Sequence, residues 1–359
     1  MRVKQYSFTP DYRNLLMAAR NQAAPRLPLY EHAIGGRMFK EIIGVDPFPG
    51  IAGGNDAERE AAFRGFWSFW RAMGYDTASF ERCITEILPG GGALGRHEPG
   101  CIKNRADFER YPWDELPEIY FREFAPAFRA LEATCPPGMK AVGGVGNGVF
   151  ECVQDLVGYM DLCYMREDDP ELYADMFRMM GDVQVQIWTR FLNEYSGAYC
   201  VLRFGDDLGF RTSTLLSADD IRRHVIPQYK RITARVHATG RPFLLHSCGC
   251  IFEVFEDIIR EAGIDAKHSN EDAIGHFSVW AEKYGDRIGN FGGIDTDVLC
   301  RQSPETIREY VKDSIRRTRG HGGIAFGSGN SIPDYVPTAG YLAMVEAVRD
   351  WRGDQAVWF

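Results

Sequence analysis

Short hydrophobic segments rich in β-forming residues alternate along the chain with longer amphipathic segments. The short segments have the length and composition of buried strands, and they lie at Leu27–His32, Tyr75–Phe80, Met139–Gly146, Tyr199–Asp207, Pro242–Ser247, Asp265–Asn270, Arg287–Asp295 and Gly323–Asn330. The longer segments have helical spacing and predict helices over Ala57–Met73, Pro170–Tyr195, Ala218–Thr239, Ile251–Ala262 and Pro304–Arg319. Ser217 and Ser303 precede two of these helices, where an N-cap is expected.

This alternation favours an α/β fold, and specifically a (β/α)₈ TIM barrel. A doubly wound open sheet gives a similar pattern and is the alternative. Because the chain has no internal repeat and no Ser/Pro-rich linker, we predict a single domain over residues 1–359. The segment 90–137 is rich in Gly, Pro and aromatic residues, and we expect it to form a long excursion over one mouth of the barrel.

Composition and charge narrow the classes of partner. Apolar residues make up 45% of the 359 residues and charged residues 25%, as in an ordinary globular protein. The net charge is −9, from 41 basic and 50 acidic residues, and no basic stripe is visible, so nucleic acid is not an expected partner.

The cysteines and the chain's N-terminal segment bear on location. Nine cysteines are scattered without the spacing of a disulfide framework. The N-terminal segment is too polar for a signal peptide, and no apolar run is long enough to cross a membrane. We therefore expect a cytoplasmic protein with no membrane partner, whose reduced thiols are available to bind metal.

The ends of the predicted strands are unusually polar. In a barrel, catalytic residues collect at the carboxyl ends of the strands. In chain order these residues are Glu31 and His32, Glu81, Asn147 and Glu151, Asp206 and Asp207, His246 and Cys248, His268 and Asn270, Asp295, and Ser328 and Asn330. We expect them to converge on one cavity.

His246 and Cys248 are the most informative pair among these residues. They are two positions apart after an apolar run, so their side chains point to the same face of a strand. An imidazole and a thiolate on one face supply half of a tetrahedral zinc site. The alternative is a buried thiol beside a histidine that is hydrogen-bonded for structural reasons.

Asp206 and Asp207 are adjacent carboxylates at the end of the fourth predicted strand. Since neighbouring strand residues point to opposite faces, only one of them can look into the cavity unless the strand has already ended. The inward carboxylate could donate a proton, anchor a substrate or bind a metal. A helix N-cap, or an ion pair with Arg203 or Arg211, is the alternative.

Several longer segments resemble the uroporphyrinogen decarboxylase superfamily. They are FGDDLGF, LLSADDIRRHVIPQYKRI, LLHSCG, GIDAKHSNED, YGDRIGNFGGID and GSGNSIPDYVP. The resemblance implies a single (β/α)₈ barrel and one of two chemistries. One branch decarboxylates uroporphyrinogen without a cofactor. The other contains cobalamin-dependent methyltransferases, including methylcobalamin:coenzyme M enzymes in which zinc activates a thiol.

The decarboxylase branch matches this sequence poorly. Its members carry two arginines after the first strand, where this chain has only Arg37. Its aspartate near the second strand has no clear counterpart here, and its late Gly-His-Gly motif falls on Gly329-Asn330-Ser331.

The methyltransferase branch matches better, because its His-x-Cys zinc pair falls on His246 and Cys248. Its third zinc ligand is a cysteine near the end of the eighth strand, where this chain has Gly329-Asn330. An amide is a poor zinc ligand. Either Glu151, His32 or Asp206 completes the site, or the site does not hold zinc.

The resulting hypothesis is a zinc-assisted, corrinoid-dependent methyltransferase that acts on a small O-methyl donor or thiol acceptor. The chain lacks the Asp-x-His-x-x-Gly cobalamin motif, so a separate carrier protein would present the corrinoid. The hypothesis assigns catalysis to His32, Glu151 and Asp206, substrate binding to Glu81, Asp207, His268 and Asn330, and metal binding to His246 and Cys248.

Two other functions stay open at this point. One is a metal-independent decarboxylase of a small carboxylic acid that uses Arg37. The other is a non-catalytic corrinoid- or tetrapyrrole-binding protein, which the missing third cysteine favours.

Overall fold

A computed structural model describes residues 5–357 and places strands and helices in alternation. The strands are β1 (Gln5–Tyr6), β2 (Thr77–Cys83), β3 (Lys140–Gly146), β4 (Tyr199–Gly205), β5 (Phe243–His246), β6 (Ala266–His268), β7 (Gly289–Ile294), β8 (Ile324–Ser328) and β9 (Ala356–Val357). The helices are α1 (Arg13–Ala19), α2 (Gly36–Ile43), α3 (Phe48–Gly53), α4 (Asp56–Met73), α5 (Arg105–Arg110), α6 (Leu116–Ala133), α7 (Val149–Val157), α8 (Tyr159–Asp168), α9 (Pro170–Glu194), α10 (Ala218–Asp220), α11 (Ile226–His237), α12 (Phe252–Asp257), α13 (Phe277–Tyr284), α14 (Thr296–Arg301), α15 (Pro304–Thr318) and α16 (Thr338–Trp351).

Strands β2 to β8 form one seven-stranded parallel sheet in sequential order. Each of these strands lies within two or three residues of a predicted one, so the α/β fold and seven of the predicted strands are confirmed. A separate two-stranded antiparallel sheet, β1 with β9, joins the two ends of the described chain. The sequential parallel order brings the carboxyl ends of all seven strands to one edge of the sheet.

The first predicted strand, Leu27–His32, does not join the sheet as a regular strand. Leu29 forms an isolated parallel bridge to Phe326 of β8. On the side of β2 the contact passes through a side chain, because the Ser79 hydroxyl donates to the Glu31 carbonyl. Pro28 has no amide hydrogen to continue a ladder. The segment therefore lies between the two edge strands with little backbone pairing.

The helices confirm the amphipathic pattern. Helices α4, α9 and α15 match the predictions closely, and the Ser217 and Ser303 side chains accept from the amides of Asp220 and Thr306 as N-caps. Two five-residue π-helical segments, Ile221–Val225 and Ile258–Ala262, extend α10 and α12. Between residues 5 and 357, no helix has the length and hydrophobicity to cross a membrane.

The structure divides the predicted 90–137 excursion into two parts. Residues 88–104 form a loop that hydrogen-bonds to the end of α7, through the amides of Cys101 and Ile102 and the Leu156 carbonyl. The later part contains α5 and α6, and α6 packs on α4 and α9 as an ordinary outer helix that connects β2 to β3.

Two hydrophobic clusters flank the sheet. The larger one lies between the strands and the surrounding helices. The smaller one lies on the other face of the sheet and includes Leu244, Ala266, Phe291 and Ala325. Helix α1 contributes to the smaller cluster and contacts both β4 and the neighbouring pair β7 and β8, although β5 and β6 lie between them in the sheet. The sheet is therefore curled, with α1 closing one end of its concave side.

Candidate functional site

Two histidines pair on the concave side, above the smaller hydrophobic cluster. His246 ends β5, and its register partner on β6 is His268. Strand alternation places them on the same face as Leu244 and Ala266, which precede them by two positions. Their Nδ1 atoms lie 2.7 Å apart, and His268 Nε2 lies 3.0 Å from the Ser328 carbonyl oxygen. The ring of His32 stacks on that of His246, with ring centroids 3.7 Å apart.

Cys248 and Asp207 converge on the remaining nitrogen of His246. Cys248 Sγ lies 3.4 Å and Asp207 Oδ1 3.7 Å from His246 Nε2. One ligand atom from each residue lies within 4.8 Å of the others. An imidazole nitrogen, a thiol sulfur and a carboxylate oxygen are all ordinary zinc ligands. The donor set therefore fits a metal with three protein ligands, and we name it the Asp207/His246/Cys248 cluster.

A second group of possible ligands consists of His32, His246 and His268. In this group the Nδ1 atoms of His246 and His268 are occupied by their mutual hydrogen bond. The His32 Nδ1 atom is buried and has no hydrogen-bond partner among residues 5–357. Because both ring nitrogens of His268 are engaged, by His246 and by the Ser328 carbonyl, a metal here would have to break one of these bonds, and the Asp207/His246/Cys248 cluster is the better metal candidate.

Close contact between two glycines brings Cys248 and Asp207 together. Gly249 has φ +79°, and a Cβ atom there would lie 2.1 Å from the backbone carbon of Gly209. The loops after β4 and β5 therefore touch through their backbones, and the Cys250 amide donates to the Phe210 carbonyl at 2.6 Å. The Cys248 amide donates to Asp207 Oδ1 at 2.9 Å. The Ser-Cys-Gly-Cys sequence thus fixes both the thiol and the carboxylate.

Asp206 points away from this cluster. Its carboxylate is fully buried and accepts from the amides of Phe150 and Glu151 at 3.0 and 2.8 Å and from the Tyr229 hydroxyl at 2.6 Å. It occupies the space where a side chain on Gly148, the N-cap residue of α7, would lie. Asp206 therefore caps a helix, which was the alternative to a role in the cavity. The carboxylate that lies on the concave side is that of Asp207.

Glu151 lies beside Asp207 at the start of α7. Its carboxylate accepts from the Asn147 amide at 2.7 Å and faces the Asp207 amide at 3.4 Å. Burial, followed by the charges of Asp207 and Asp206, raises the pKa of Glu151 well above its ordinary value. This shift favours the protonated carboxyl group, which is suited to donate a proton.

Glu81 is held by an ion pair with a buried arginine. Arg203 lies 2.8 Å from Glu81 and donates to the Tyr30 hydroxyl at 2.6 Å and to the His32 carbonyl at 3.0 Å. His32 Nε2 lies 3.7 Å from the other Glu81 oxygen. Burial, and then the charge of Arg203, lower the pKa of His32 well below its ordinary value. His32 is therefore neutral and does not act as a proton donor near neutral pH.

Asn330 connects the cluster to a cavity at the sheet edge. Its side-chain amide donates to Cys248 Sγ at 3.3 Å. It also lines a cavity of about 380 Å³ together with Arg211, Asp295 and Tyr335. Asn330 therefore links this cavity to the thiol, and Asp207, His246 and Cys248 themselves do not line it. His268 is fully buried and does not line this cavity either, so the predicted substrate contact falls to Asn330.

Burial sets the protonation of the two residues of the His-x-Cys pair. It raises the pKa of the Cys248 thiol well above its ordinary value, and the charge of Asp207 adds to this effect. It lowers the pKa of His246 well below its ordinary value, with His268 adding to that effect. A neutral imidazole is what metal binding requires of His246, whereas Cys248 must lose a proton when a metal binds.

The structure brings most of the predicted site residues together and directs Asp206 away from them. His32, Glu81, Asp207, His246, Cys248, His268 and Asn330 form one connected group, and Glu151 adjoins it. Asp206 caps helix α7, and His268 hydrogen-bonds to His246. Arg203 and Gly249 were not predicted as site residues. The run RFGDD and the glycine after Cys248 were the available signals.

Together the fold and the site define an α/β protein with a His/Cys/Asp cluster at the carboxyl edge of a curled parallel sheet. The family model for uroporphyrinogen decarboxylase (URO-D) matches residues 58–351. The chain belongs to this family. No curated protein sequence matches it.

Solved structures support the fold. The chain is similar to a methyltransferase from Methanosarcina mazei, with a TM-score of 0.70, 16% identity, and coverage of 96% of this chain and 99% of the other. It is also similar to a B12-independent methionine synthase from Shewanella sp. W3-18-1, with a TM-score of 0.51, 13% identity, and coverage of 94% and 97%. At these identities the likeness concerns the fold alone.

Proposed function

We propose that this protein is a corrinoid-dependent methyltransferase that moves a methyl group between a corrinoid and a small substrate. The substrate is an O-methyl donor or a thiol acceptor. The observation that carries the proposal is the convergence of His246, Cys248 and Asp207 beside Asn330, which lines a cavity at the sheet edge. The fold likeness to a methyltransferase and membership of the family support it.

Zinc fits the Asp207/His246/Cys248 cluster, which offers three protein ligands. Catalytic zinc sites have three protein ligands and keep one position for water or substrate. When bound, zinc would lower the pKa of a substrate thiol or polarise an ether oxygen. The aspartate takes over the role for which the family branch uses a third cysteine, and Asn330 instead donates to the sulfur of Cys248.

Glu151 is the residue that we assign to proton transfer. Its raised pKa favours the protonated form, and the side chain adjoins Asp207. Cleavage of an O-methyl group needs a proton for the leaving oxygen. Transfer to a thiol needs the reverse, that is, removal of the thiol proton. Glu151 can serve the first role as it stands and the second after it has lost its own proton.

We infer that a separate carrier protein brings the corrinoid to the carboxyl edge of the sheet. Two aromatic side chains on the surrounding loops, Phe210 and Tyr335, are 62% and 71% exposed. Exposed aromatic residues of this kind are typical of contact surfaces. We also infer that residues 27–32 complete an eight-stranded barrel around the site, since Leu29 bridges to β8 and Glu31 contacts β2.

The alternative of a metal-independent decarboxylase loses its main support. The Arg37 guanidinium donates to the Val336 carbonyl at 2.9 Å and lies 3.6 Å from Glu41 on the surface of α2. It is therefore engaged at the surface, and no contact joins it to the Asp207/His246/Cys248 cluster within residues 5–357.

Metal analysis of purified protein tests the proposal. We expect about one zinc per chain in the wild type and in Cys250→Ala, and none in Cys248→Ala. Cys250 is the matched control because it lies in the same short loop but outside the cluster. Methyl transfer with a corrinoid carrier protein should be lost in Cys248→Ala and kept in Cys250→Ala. Full turnover by metal-free Cys248→Ala would refute the role of zinc.

A further inference from the structure

A line of three hydrogen-bonding groups runs from the metal candidate into the interior. It starts at His246, passes to His268 on the neighbouring strand, and ends at the carbonyl oxygen of Ser328 on β8. The successive distances are 2.7 and 3.0 Å. Both histidines are buried, and His268 is fully so.

The last group in this line determines where the protons lie. A backbone carbonyl can only accept a hydrogen bond, so His268 Nε2 must carry a hydrogen. A neutral imidazole has one N–H, which leaves His268 Nδ1 as an acceptor. His246 Nδ1 must then donate to it, and the bare nitrogen of His246 is Nε2. That nitrogen faces Cys248 Sγ and Asp207 Oδ1.

This deduction requires a neutral His268, and the surroundings of the ring supply the reason. The ring packs against the edge of Tyr30, with centroids 5.2 Å apart, and against the backbone at Gly292, where a Cβ atom would lie 3.3 Å from it. No carboxylate forms an ion pair with it within residues 5–357. A buried cation without a partner costs several kcal/mol, so the ring stays neutral.

We propose that His268 is a positioning residue that holds His246 as the Nδ1–H tautomer and so directs a bare Nε2 at the metal position. The tautomer itself follows from the protein alone, and only its use in metal binding rests on the proposed function. Histidine ligands commonly donate their second N–H to an outer partner, and loss of that partner typically lowers metal affinity about 10–100-fold. Here the outer partner is another imidazole.

The tautomer can be measured in metal-free protein by long-range ¹H–¹⁵N correlation spectra after ¹⁵N-histidine labelling. The chain has eight histidines, and single variants assign their signals. We expect His246 to show a protonated Nδ1 and a bare Nε2. In His268→Phe, which fills the same space without an acceptor, a mixture of tautomers should appear. In His268→Asn, whose amide oxygen can accept in place of Nδ1, the wild-type tautomer should return.

His276→Asn is the control. Like His268, His276 hydrogen-bonds to the backbone, but it is only partly buried, and as the N-cap of α13 it tolerates asparagine. The His276→Asn substitution should leave the His246 signals unchanged. A wild-type His246 with a protonated Nε2, or a tautomer that does not change in His268→Phe, would overturn the proposal. If a His268 variant does not fold, the wild-type spectrum still tests the tautomer, and a protonated Nε2 there would overturn the proposal.

Zinc affinity, measured by competition with a chromogenic chelator, separates this inference from the proposed function. We expect an affinity about 10–100-fold weaker in His268→Phe, with most of it restored in His268→Asn. If the wild type shows the expected tautomer but binds no zinc, the positioning role of His268 stands and the metal site fails. If zinc binds equally to the wild type and to His268→Phe, the positioning role fails and the metal site stands.

Discussion

Asp206 and Asp207 are neighbours in the chain that contact opposite sides of the sheet. Asp207 lies on the concave side, 43% exposed at its side chain and 3.7 Å from His246. Asp206 is fully buried on the helix side and caps α7 from another strand. Equal substitutions at the two positions should therefore have different effects.

We expect Asp207→Ala to lower zinc affinity by more than the roughly 10–100-fold that the loss of an outer-shell partner costs, since it removes a ligand. Its free energy of unfolding in the absence of metal should fall less than that of Asp206→Ala, because the side chain is partly exposed and accepts one backbone hydrogen bond, from Cys248. Chelator competition and urea denaturation measure the two quantities.

Asp206→Ala should give the opposite result. Loss of the carboxylate leaves two helix amides and the Tyr229 hydroxyl without their acceptor. The expected cost is about 1–3 kcal/mol of the free energy of unfolding, with zinc affinity little changed. If Asp206→Ala lost zinc while Asp207→Ala kept it, the assignment of the two carboxylates would be reversed.

Glu31 gives a prediction about pH. Its carboxyl group is fully buried, which raises its pKa from 4.5 to about 8, against the opposing effect of hydrogen bonds from Ser328 and Tyr75. Between these values the folded protein binds the proton that the unfolded chain releases. Folding stability is therefore lost as pH rises from about 5 to about 8, and unaffected by this group at lower pH.

Glu31→Gln removes this titration. We expect the difference in unfolding free energy between the variant and the wild type to shift in favour of the variant by a few kcal/mol between pH 5 and pH 9, at about 1.4 kcal/mol per unit of pKa shift. Any cost of replacing the carboxyl group by the glutamine amide is the same at each pH. The test is therefore how the difference in unfolding free energy changes with pH. If the unfolding free energies of the variant and the wild type changed with pH in parallel, the pKa of Glu31 would be the same in the folded and the unfolded state.

At the scale of elements, the contact between the loops after β4 and β5 forms the site. Gly249 permits this contact in two ways, because its φ is positive and its missing side chain leaves room for Gly209. Gly240, in the turn before β5, has a similar φ of +75°, but a Cβ atom there would meet nothing within 4 Å. The two glycines are therefore a matched pair.

We expect Gly249→Ala to separate the two loops, to weaken zinc binding at least tenfold, and to destabilise the fold by more than about 1 kcal/mol. Gly240→Ala should carry only the cost of the positive φ, on the order of 1 kcal/mol, with zinc binding unchanged. Chelator competition and denaturation on both variants provide the comparison. Equal zinc affinities in the two variants would mean that the glycine contact does not fix the cluster.

The elements also show how far a sequence can predict this fold and site. Periodicity predicted seven strands and the main helices, because buried strands and amphipathic helices leave strong patterns. The segment 27–32 has the same composition, but Pro28 limits its pairing. The alternation of side chains along β4 predicted that only one of the two aspartates points into the cavity, but it did not identify which one, since the register between β3 and β4 shifts at Ala141/Val142. The pairing of His246 with His268 depends on parallel register, which local sequence does not encode.

At the scale of the whole molecule, the proposed metal joins parts of the chain that lie about forty residues apart. Asp207 follows β4 and Cys248 follows β5, with α10 and α11 between them. A ligand that binds only the folded protein stabilises it by an amount set by its concentration relative to Kd. Zinc at a hundredfold excess over Kd should therefore add about 2.7 kcal/mol to the free energy of unfolding.

This stabilisation should depend on the cluster and not on thiols in general. We expect it in the wild type and Cys250→Ala after removal of endogenous metal, and not in Cys248→Ala, as measured by urea denaturation with and without zinc. The unfolded wild-type chain exposes nine cysteines and each variant one fewer, so zinc bound to the unfolded chain lowers the net gain alike in the two variants. The difference between Cys250→Ala and Cys248→Ala therefore isolates the folded site. An equal gain in both would place the bound zinc outside the cluster, whereas loss in Cys248→Ala alone would tie the stability of the sheet edge to the residues proposed for catalysis.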